Sequence, residues 1–149
     1  MERTLVLVKP DGVQRGLVGT VIQRFEDKGL QIAGLKLMRV TENLAREHYG
    51  EHVGKPFFDG LLTFITSSPV VAIAVDGDGA IAIVRNMMGE TNPAKAAPGT
   101  IRGDFGVDFG LNIVHGSDGP ESAERELLLF FSEHELIDYD RPIQQWVTA

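Results

Sequence analysis

In Asn112-Ile113-Val114-His115-Gly116-Ser117-Asp118 a short apolar run delivers a histidine to the mouth of a Gly-Ser-Asp turn. Imidazole is a good nucleophile toward phosphorus and is largely neutral near physiological pH. A histidine at a strand end, followed by hydroxyl and carboxylate side chains, is placed for that chemistry; the competing reading is a structural or surface histidine. His48, His52 and His134 all lie in polar, helix-like surroundings, and only His115 follows an apolar run. A nucleophilic imidazole needs a carboxylate to accept the N–H of its non-attacking nitrogen. Glu126 and Asp118 are the candidates.

If the ligand is a nucleoside triphosphate, phosphate charge must be neutralised and the base and sugar gripped. Lys9, Arg85 and Arg102 offer cations, Thr91 and Asn112 neutral hydrogen-bonding groups, and Tyr49 and Phe57 apolar surfaces. Lys9 sits at the exit of a strand before Pro10-Asp11-Gly12, where it reads equally well as a solvated lysine. Tyr49 and Phe57 read as core anchors or as a stacking platform for a flat base. There is no Gly-x-x-x-x-Gly-Lys-Ser/Thr loop and no protein-kinase signature, so side chains rather than a backbone cradle would hold phosphate.

The elements that must position these groups follow from periodicity. Arg3 to Val8 reads as a strand stopped by a turn at Lys9 to Gly12. Val18, Val21, Ile22 and Phe25 make one helical face, and Gly29 is its C-terminal cap. Leu30 to Val40 reads as a strand whose apolar phase changes, which predicts a bulge at Gly34. Thr41 is placed to cap a helix through Tyr49. Phe58, Leu61, Leu62 and Ile65 mark another helix, ended by Ser67-Ser68-Pro69. Val70 to Val75 is apolar on both parities, as a central strand is, and Asp76 to Gly79 reads as a turn rather than a calcium loop. Ala80 to Met88 fits helix and strand alike. Gly89 to Leu111 is rich in Gly and Pro, and Ile101, Phe105, Val107 and Phe109 predict that it packs. Pro120 opens a helix with Ala123, Leu127 and Phe131 on one face.

Reduced to its strong elements, the order is βαββαβ, which predicts a ferredoxin-like α/β sandwich: a four-stranded antiparallel sheet with helices packed on it. Helices on one face leave the other for an oligomer partner. Asn112 and His115 differ in strand parity, so an ideal strand would aim them at opposite faces; either the strand ends before His115 or the chain bends.

With 149 residues the chain is expected to form one domain, spanning 1–149. A net charge of −7 opposes nucleic-acid binding. No run is long enough to cross a membrane, and the N-terminus has no signal-peptide core. Without cysteine there is no disulfide framework, so a reducing cytoplasm is the default compartment.

Taken together, the motifs resemble the nucleoside diphosphate kinase family. NIVHGSD is similar to its signature Asn-x-x-His-x-Ser-Asp, and TLVLVKPDGVQRGLVG, KPFFDGL, GETNPAKAAPGTIRGDF and HGSDGPESAERE follow in family order, from Arg3 to about Trp146. The resemblance implies transfer of a γ-phosphoryl group from a nucleoside triphosphate to a nucleoside diphosphate through a phosphohistidine, by a ping-pong course. His115 matches the histidine phosphorylated on Nδ1. Lys9, Arg85, Thr91 and Arg102 match phosphate-holding residues, with Tyr49 supporting them. Phe57 matches the base-stacking aromatic and Asn112 the amide on the ribose 3′-hydroxyl. Ser117 and Glu126 match a second shell in which Glu126 orients the imidazole. Mg²⁺ would arrive on the nucleotide phosphates, with no protein metal cage. The family fold is the ferredoxin-like sandwich, assembled as hexamers or, in some bacteria, tetramers, and it makes Ala80 to Met88 a helix. His52, Phe109 and Leu111 stand where other members carry different residues. A catalytically silent nucleotide-binding scaffold is the alternative, favoured if His115 or Glu126 were replaced; both are present.

Overall fold

The computed structural model describes residues 1–149. Four strands, β1 (Glu2–Val8), β2 (Gln31–Met38), β3 (Val70–Gly77) and β4 (Val114–Gly116), form one sheet in the order β2-β3-β1-β4. All three pairings are antiparallel. β1 and β3 are central, which is why both parities of each are apolar: Leu5 to Val8 and Val70 to Val75 are all buried.

Seven helices surround the sheet: α1 (Pro10–Gln14), α2 (Val18–Lys28), α3 (Glu42–His48), α4 (Phe58–Thr66), α5 (Ala80–Met88), α6 (Ile101–Phe105) and α7 (Pro120–Phe130). One core packs Val6, Val8, Val71, Ile73 and Val75 against Val21 and Phe25 of α2 and Val84 and Met88 of α5. The other packs Leu5, Leu7, Ala72 and Ala74 against Ala45 of α3, Ile65 of α4 and Phe130 of α7. The expectation of a bare sheet face is thereby corrected. The βαββαβ frame accounts only for α2 and α5; α3, α4 and α7 are additional, and they cover the second face from within the chain.

Local signals explain most boundaries. Gly29 ends α2 in the left-handed region, at φ 100°. The Thr41 hydroxyl accepts from the Leu44 N–H at 3.1 Å and starts α3. The bulge falls between Ile32 and Gly34, and the freed Ala33 carbonyl accepts from Ile137 N–H at 2.8 Å. A side chain at 34 would meet Leu136 and Phe131 at 3.1 Å, so glycine lets the tail lie close over the bulge. Ala80 to Met88 is helical, with the Glu2 carboxylate accepting from Ile81 N–H at 2.8 Å at its start.

Several expectations need correction. Lys9 to Gly12 is not a plain turn: Pro10 opens the short helix α1, where its missing N–H costs nothing. Asp76 and Gly77 complete β3, and Asp76 is held there by Arg3 at 2.6 and 2.9 Å. Within Gly89 to Leu111, Pro93–Lys95 and α6 are helical, and Ile101 is fully buried. Val107 and Phe109, however, are 83% and 63% exposed, so their part of the loop does not pack as their apolarity suggests.

Candidate active site

The parity problem at Asn112 and His115 is solved by Ile113. It is the only non-glycine residue with positive φ, at 73°, and Val114 N–H donates to Asn112 O at 2.8 Å across it. That is the strained, positive-φ form of the γ-turn. β4 therefore begins at Val114, and the bend turns Asn112 toward the same cavity as His115.

The bend is clamped from two sides. Asp11 of α1 accepts from Ile113 N–H at 2.9 Å, and Lys9 N–H donates to Ile113 O at 2.8 Å. Arg102 of α6, buried, donates through Nε to Asn112 O at 3.2 Å, through Nη1 to Gly89 O at 3.0 Å and through Nη2 to Val114 O at 2.7 Å. Three of its N–H groups are thus committed to carbonyls, and the two others of a guanidinium's five remain for a ligand. Burial, then the neighbouring Arg85, pushes Arg102 down to about 10, where it still carries its charge.

A cavity of about 970 Å³ lies over this bend. Lys9, Tyr49, Phe57, Arg85, Thr91, Arg102, Asn112, His115 and Glu126 all line it; Ser117 stands behind it, buried. Lys9 Nζ donates to Asn112 Oδ1 at 2.7 Å, and Asn112 Nδ2 donates to Thr91 O at 3.0 Å. Burial pushes Lys9 down to about 8, against the opposing pull of Asp11. Arg85 on α5 is the least committed cation, with one bond at 3.2 Å to Gly116 O.

His115 meets Glu126 at 2.8 Å through Nε2, and Ser117 Oγ donates to the same Glu126 oxygen at 2.7 Å. Of the two candidate carboxylates, Glu126 is the partner; Asp118 instead accepts from Ser122 at the start of α7. Burial alone would raise the Glu126 carboxyl. The hydrogen bond and charge of His115, with Ser117, outweigh it and hold the group below the usual range. An ionised carboxylate only accepts, so His115 carries its hydrogen on Nε2 and leaves the Nδ1 lone pair free.

Aromatic rings run from the floor to the mouth. Tyr49 lies 6.3 Å from His52, and His52 lies 5.2 Å from Phe57. Phe57, half exposed, stands at the lip. Burial pushes the Tyr49 hydroxyl up to about 12, so it stays protonated.

Two residues escaped the sequence reading. His48 is buried, not in polar surroundings, and its ring stands 4.9 Å from that of His115 at 87°. Its spacing from Ala45 puts it on the buried face of α3, which was the available signal. Asp11 was read only as part of a turn, and no local pattern announces a carboxylate that caps a bend a hundred residues away.

A ferredoxin-like sandwich whose cavity gathers Lys9, Arg85 and Arg102 near a carboxylate-held histidine suits a phosphotransferase. The comparisons make this particular. The family model described as Nucleoside diphosphate kinase matches residues 2–136. A nucleoside diphosphate kinase of Carboxydothermus hydrogenoformans is 60% identical over 147 residues, covering 99% of each chain. One of Thermosynechococcus vestitus is also 60% identical, over 99% of this chain and 98% of its own. Among solved structures, a halophilic nucleoside diphosphate kinase from Halobacterium salinarum in complex with CDP superposes with a TM-score of 0.97 at 55% identity, over 99% of each chain. That of Encephalitozoon cuniculi, in its apo form, gives 0.95 at 39% identity, over 99% of this chain and 100% of its own. The chain belongs to the nucleoside diphosphate kinase family, and its activity is transfer of the γ-phosphoryl group between nucleoside tri- and diphosphates. No helix is long and apolar enough to cross a membrane.

Proposed function

We propose that His115 is the nucleophile of a ping-pong phosphotransfer. The observation that carries this is the 2.8 Å bond from His115 Nε2 to Glu126, which in the neutral ring leaves the Nδ1 lone pair free in a cavity that Lys9, Arg85 and Arg102 also line. In the first half-reaction an Nδ1–P bond forms as the bond from γ-phosphorus to its bridging oxygen breaks, and the diphosphate leaves with the electron pair. In the second, an oxygen of the acceptor's terminal phosphate attacks and the electron pair returns to Nδ1.

The surrounding residues divide the remaining work. Lys9, Arg85 and the free N–H groups of Arg102 neutralise phosphate charge, and the Thr91 hydroxyl and Tyr49 support the same oxygens. Phe57 stacks on the base, and Asn112, already oriented by Lys9 and Thr91, binds the ribose 3′-hydroxyl. Stacking and sugar contacts do not read base edges, so acceptors of every base are substrates. Bound CDP in the halobacterial relative agrees with a diphosphate in this cavity.

A nucleotide kinase works with a divalent cation, and here we assign Mg²⁺. The donor set nearest the nucleophile, His48, His115 and Glu126, is nitrogen-rich, whereas Mg²⁺ takes oxygens and keeps its waters. Phosphate oxygens and the mouth carboxylate of Asp118 fit it better. Bound there, it would supply charge neutralisation on the transferring phosphate. The chain acts as a single domain, in a cytoplasmic homohexamer or tetramer, and it does not act on nucleic acid. With both sheet faces covered, the surfaces that support assembly are Leu35 and Leu37 on edge strand β2 and the exposed Val107, Phe109 and Leu111.

The test is a phosphorylation trap. Protein, Mg²⁺ and γ-labelled ATP without acceptor are expected to give an acid-labile, base-stable label on His115 that chases onto GDP. His115→Ala should fold and take no label; normal turnover in that variant would remove the nucleophile assignment. Nucleotide binding without label in the wild type would instead favour the silent scaffold.

A further inference from the structure

We propose that His48 is a positioning residue for the phosphotransfer: its ring is the wall that fixes the plane of the His115 imidazole and keeps Nδ1 aimed into the cavity. The proposal rests on the phosphohistidine reading above. Glu126 holds His115 at one atom, Nε2. That atom lies close to the axis about which an imidazole turns on its Cβ–Cγ bond, so this hydrogen bond tolerates tilting of the ring. Control of the tilt needs a second contact away from the axis. The His48 ring supplies it, meeting His115 near-perpendicular at 87° with centroids 4.9 Å apart.

The wall is itself held. His48 is 4% exposed, lies perpendicular to Phe130 of α7 at 5.3 Å, and sits 4.6 Å from the Tyr49 ring. Its Nδ1 is buried without a partner, so no hydrogen bond at that nitrogen sets its place. An orphaned polar atom is costly, and the site tolerates it. The charged and titratable groups that act on His48 are His115 of β4, Glu126 and Arg125 of α7, and Lys9 at the exit of β1. Burial, followed by His115, pushes His48 down to about 3, so the ring stays neutral beside the phosphoryl group across the working pH range.

The experiment compares full-length wild type with His48→Ala, His48→Phe and His48→Gln. Thermal unfolding monitors the fold, single-turnover kinetics the labelling rate, and ³¹P NMR of the denatured phosphoprotein distinguishes Nδ1 from Nε2 phosphohistidine. In His48→Ala the labelling rate should fall about tenfold or more, with nucleotide KM unchanged, because orientation is lost and binding is not. The label should stay on Nδ1, because Glu126 still holds the Nε2 hydrogen. His48→Phe, which restores an aromatic wall without nitrogen, should recover the rate. Wild-type rate in His48→Ala overturns the proposal, as does a raised nucleotide KM with an unchanged labelling rate at saturation. Label on Nε2 would overturn it too, by showing loss of the tautomer rather than of ring tilt. Recovery by Gln and not by Phe would assign the effect to a hydrogen bond instead and also overturn it. If His48→Ala fails to fold, a slow His48→Phe of wild-type melting temperature is decisive against it, and a fast one with Nδ1-only label supports it. Absence of label on wild-type His115 removes both this proposal and the phosphohistidine reading.

Discussion

Glu126→Gln separates what the carboxylate does by geometry from what it does by charge. Its Oε1 accepts from His115 Nε2–H at 2.8 Å and from Ser117 Oγ–H at 2.7 Å. A glutamine carbonyl can accept both, so the tautomer and the aim of Nδ1 survive. What disappears is a negative charge beside an imidazole that gains positive character as the Nδ1–P bond forms. A hydrogen bond to a charged group is worth about 1–2 kcal/mol more than a neutral one. The phosphorylation rate should therefore fall roughly five- to thirtyfold, while nucleotide affinity holds, because the charge acts on the nucleophile and not on the ground-state phosphates. Rapid-quench single turnovers with γ-labelled ATP measure the rate, and equilibrium binding of ADP measures the affinity. An unchanged rate would refute the electrostatic role; a fall of several thousandfold would mean that the tautomer itself was lost. The same substitution carries a stability signature. Glu126 is held below its ordinary value of 4.5, so its contribution is present above that pH and is lost as pH falls through the lower folded value. Acid unfolding below pH 4.5 should accordingly be less steep in Glu126→Gln than in wild type.

Lys9, pushed down to about 8 by burial, should lose its charge in the nucleotide-free protein as pH rises through that value. Triphosphate affinity measured by calorimetry should weaken from pH 7 to 9.5, while stability of the free protein from this group rises between about 8 and 10.5, where the unfolded lysine holds more protons; a flat affinity profile would count against Lys9 as a phosphate ligand. Phe57→Ala should leave the melting temperature nearly unchanged, since the ring is half exposed, yet raise KM for purine and pyrimidine diphosphates alike by roughly tenfold or more. A base-selective change would show that Phe57 is not a sequence-blind stacking platform.

Legibility followed the range of the interactions. The helix stop at Gly29, the cap at Thr41 and the bulge at Gly34 are local, and each could be read from a few neighbouring residues. The ambiguity at Ala80 to Met88 could not be resolved locally, because the helix packs one face on the sheet and takes its N-terminal acceptor from Glu2, at the far end of β1. The covering of the second sheet face by α3, α4 and α7 was illegible for the same reason: an apolar stripe says that a face is buried, not against what. In the cavity, residues with distinctive chemistry such as Arg85, Arg102 and His115 stood out in the chain. His48 did not, since flanking charges disguised a position that the Ala45 spacing placed inward.

The conflict of strand parity between Asn112 and His115 was visible in the sequence, and its resolution shows how the site is built. Both side chains must reach one cavity from one short segment, and a regular strand forbids it. The γ-turn at Ile113 changes the phase, at a cost on the order of 1–3 kcal/mol for a β-branched residue with positive φ. That strain is offset by the groups that grip the bend: Asp11 and Lys9 from the segment after β1, and Arg102 from α6. The bonds from Asp11 and Arg102 involve charged groups and contribute roughly 1.5–3 kcal/mol each, enough to hold the turn, while Lys9 grips it through its backbone N–H. Lys9 and Arg102 also line the cavity. Two of the three residues that bend the chain, Lys9 and Arg102, are thus also among those proposed to meet the phosphates. The segment from Gly89 to Leu111, irregular as it looks, is part of the frame: its buried arginine fixes Asn112, Val114 and Gly89 at once.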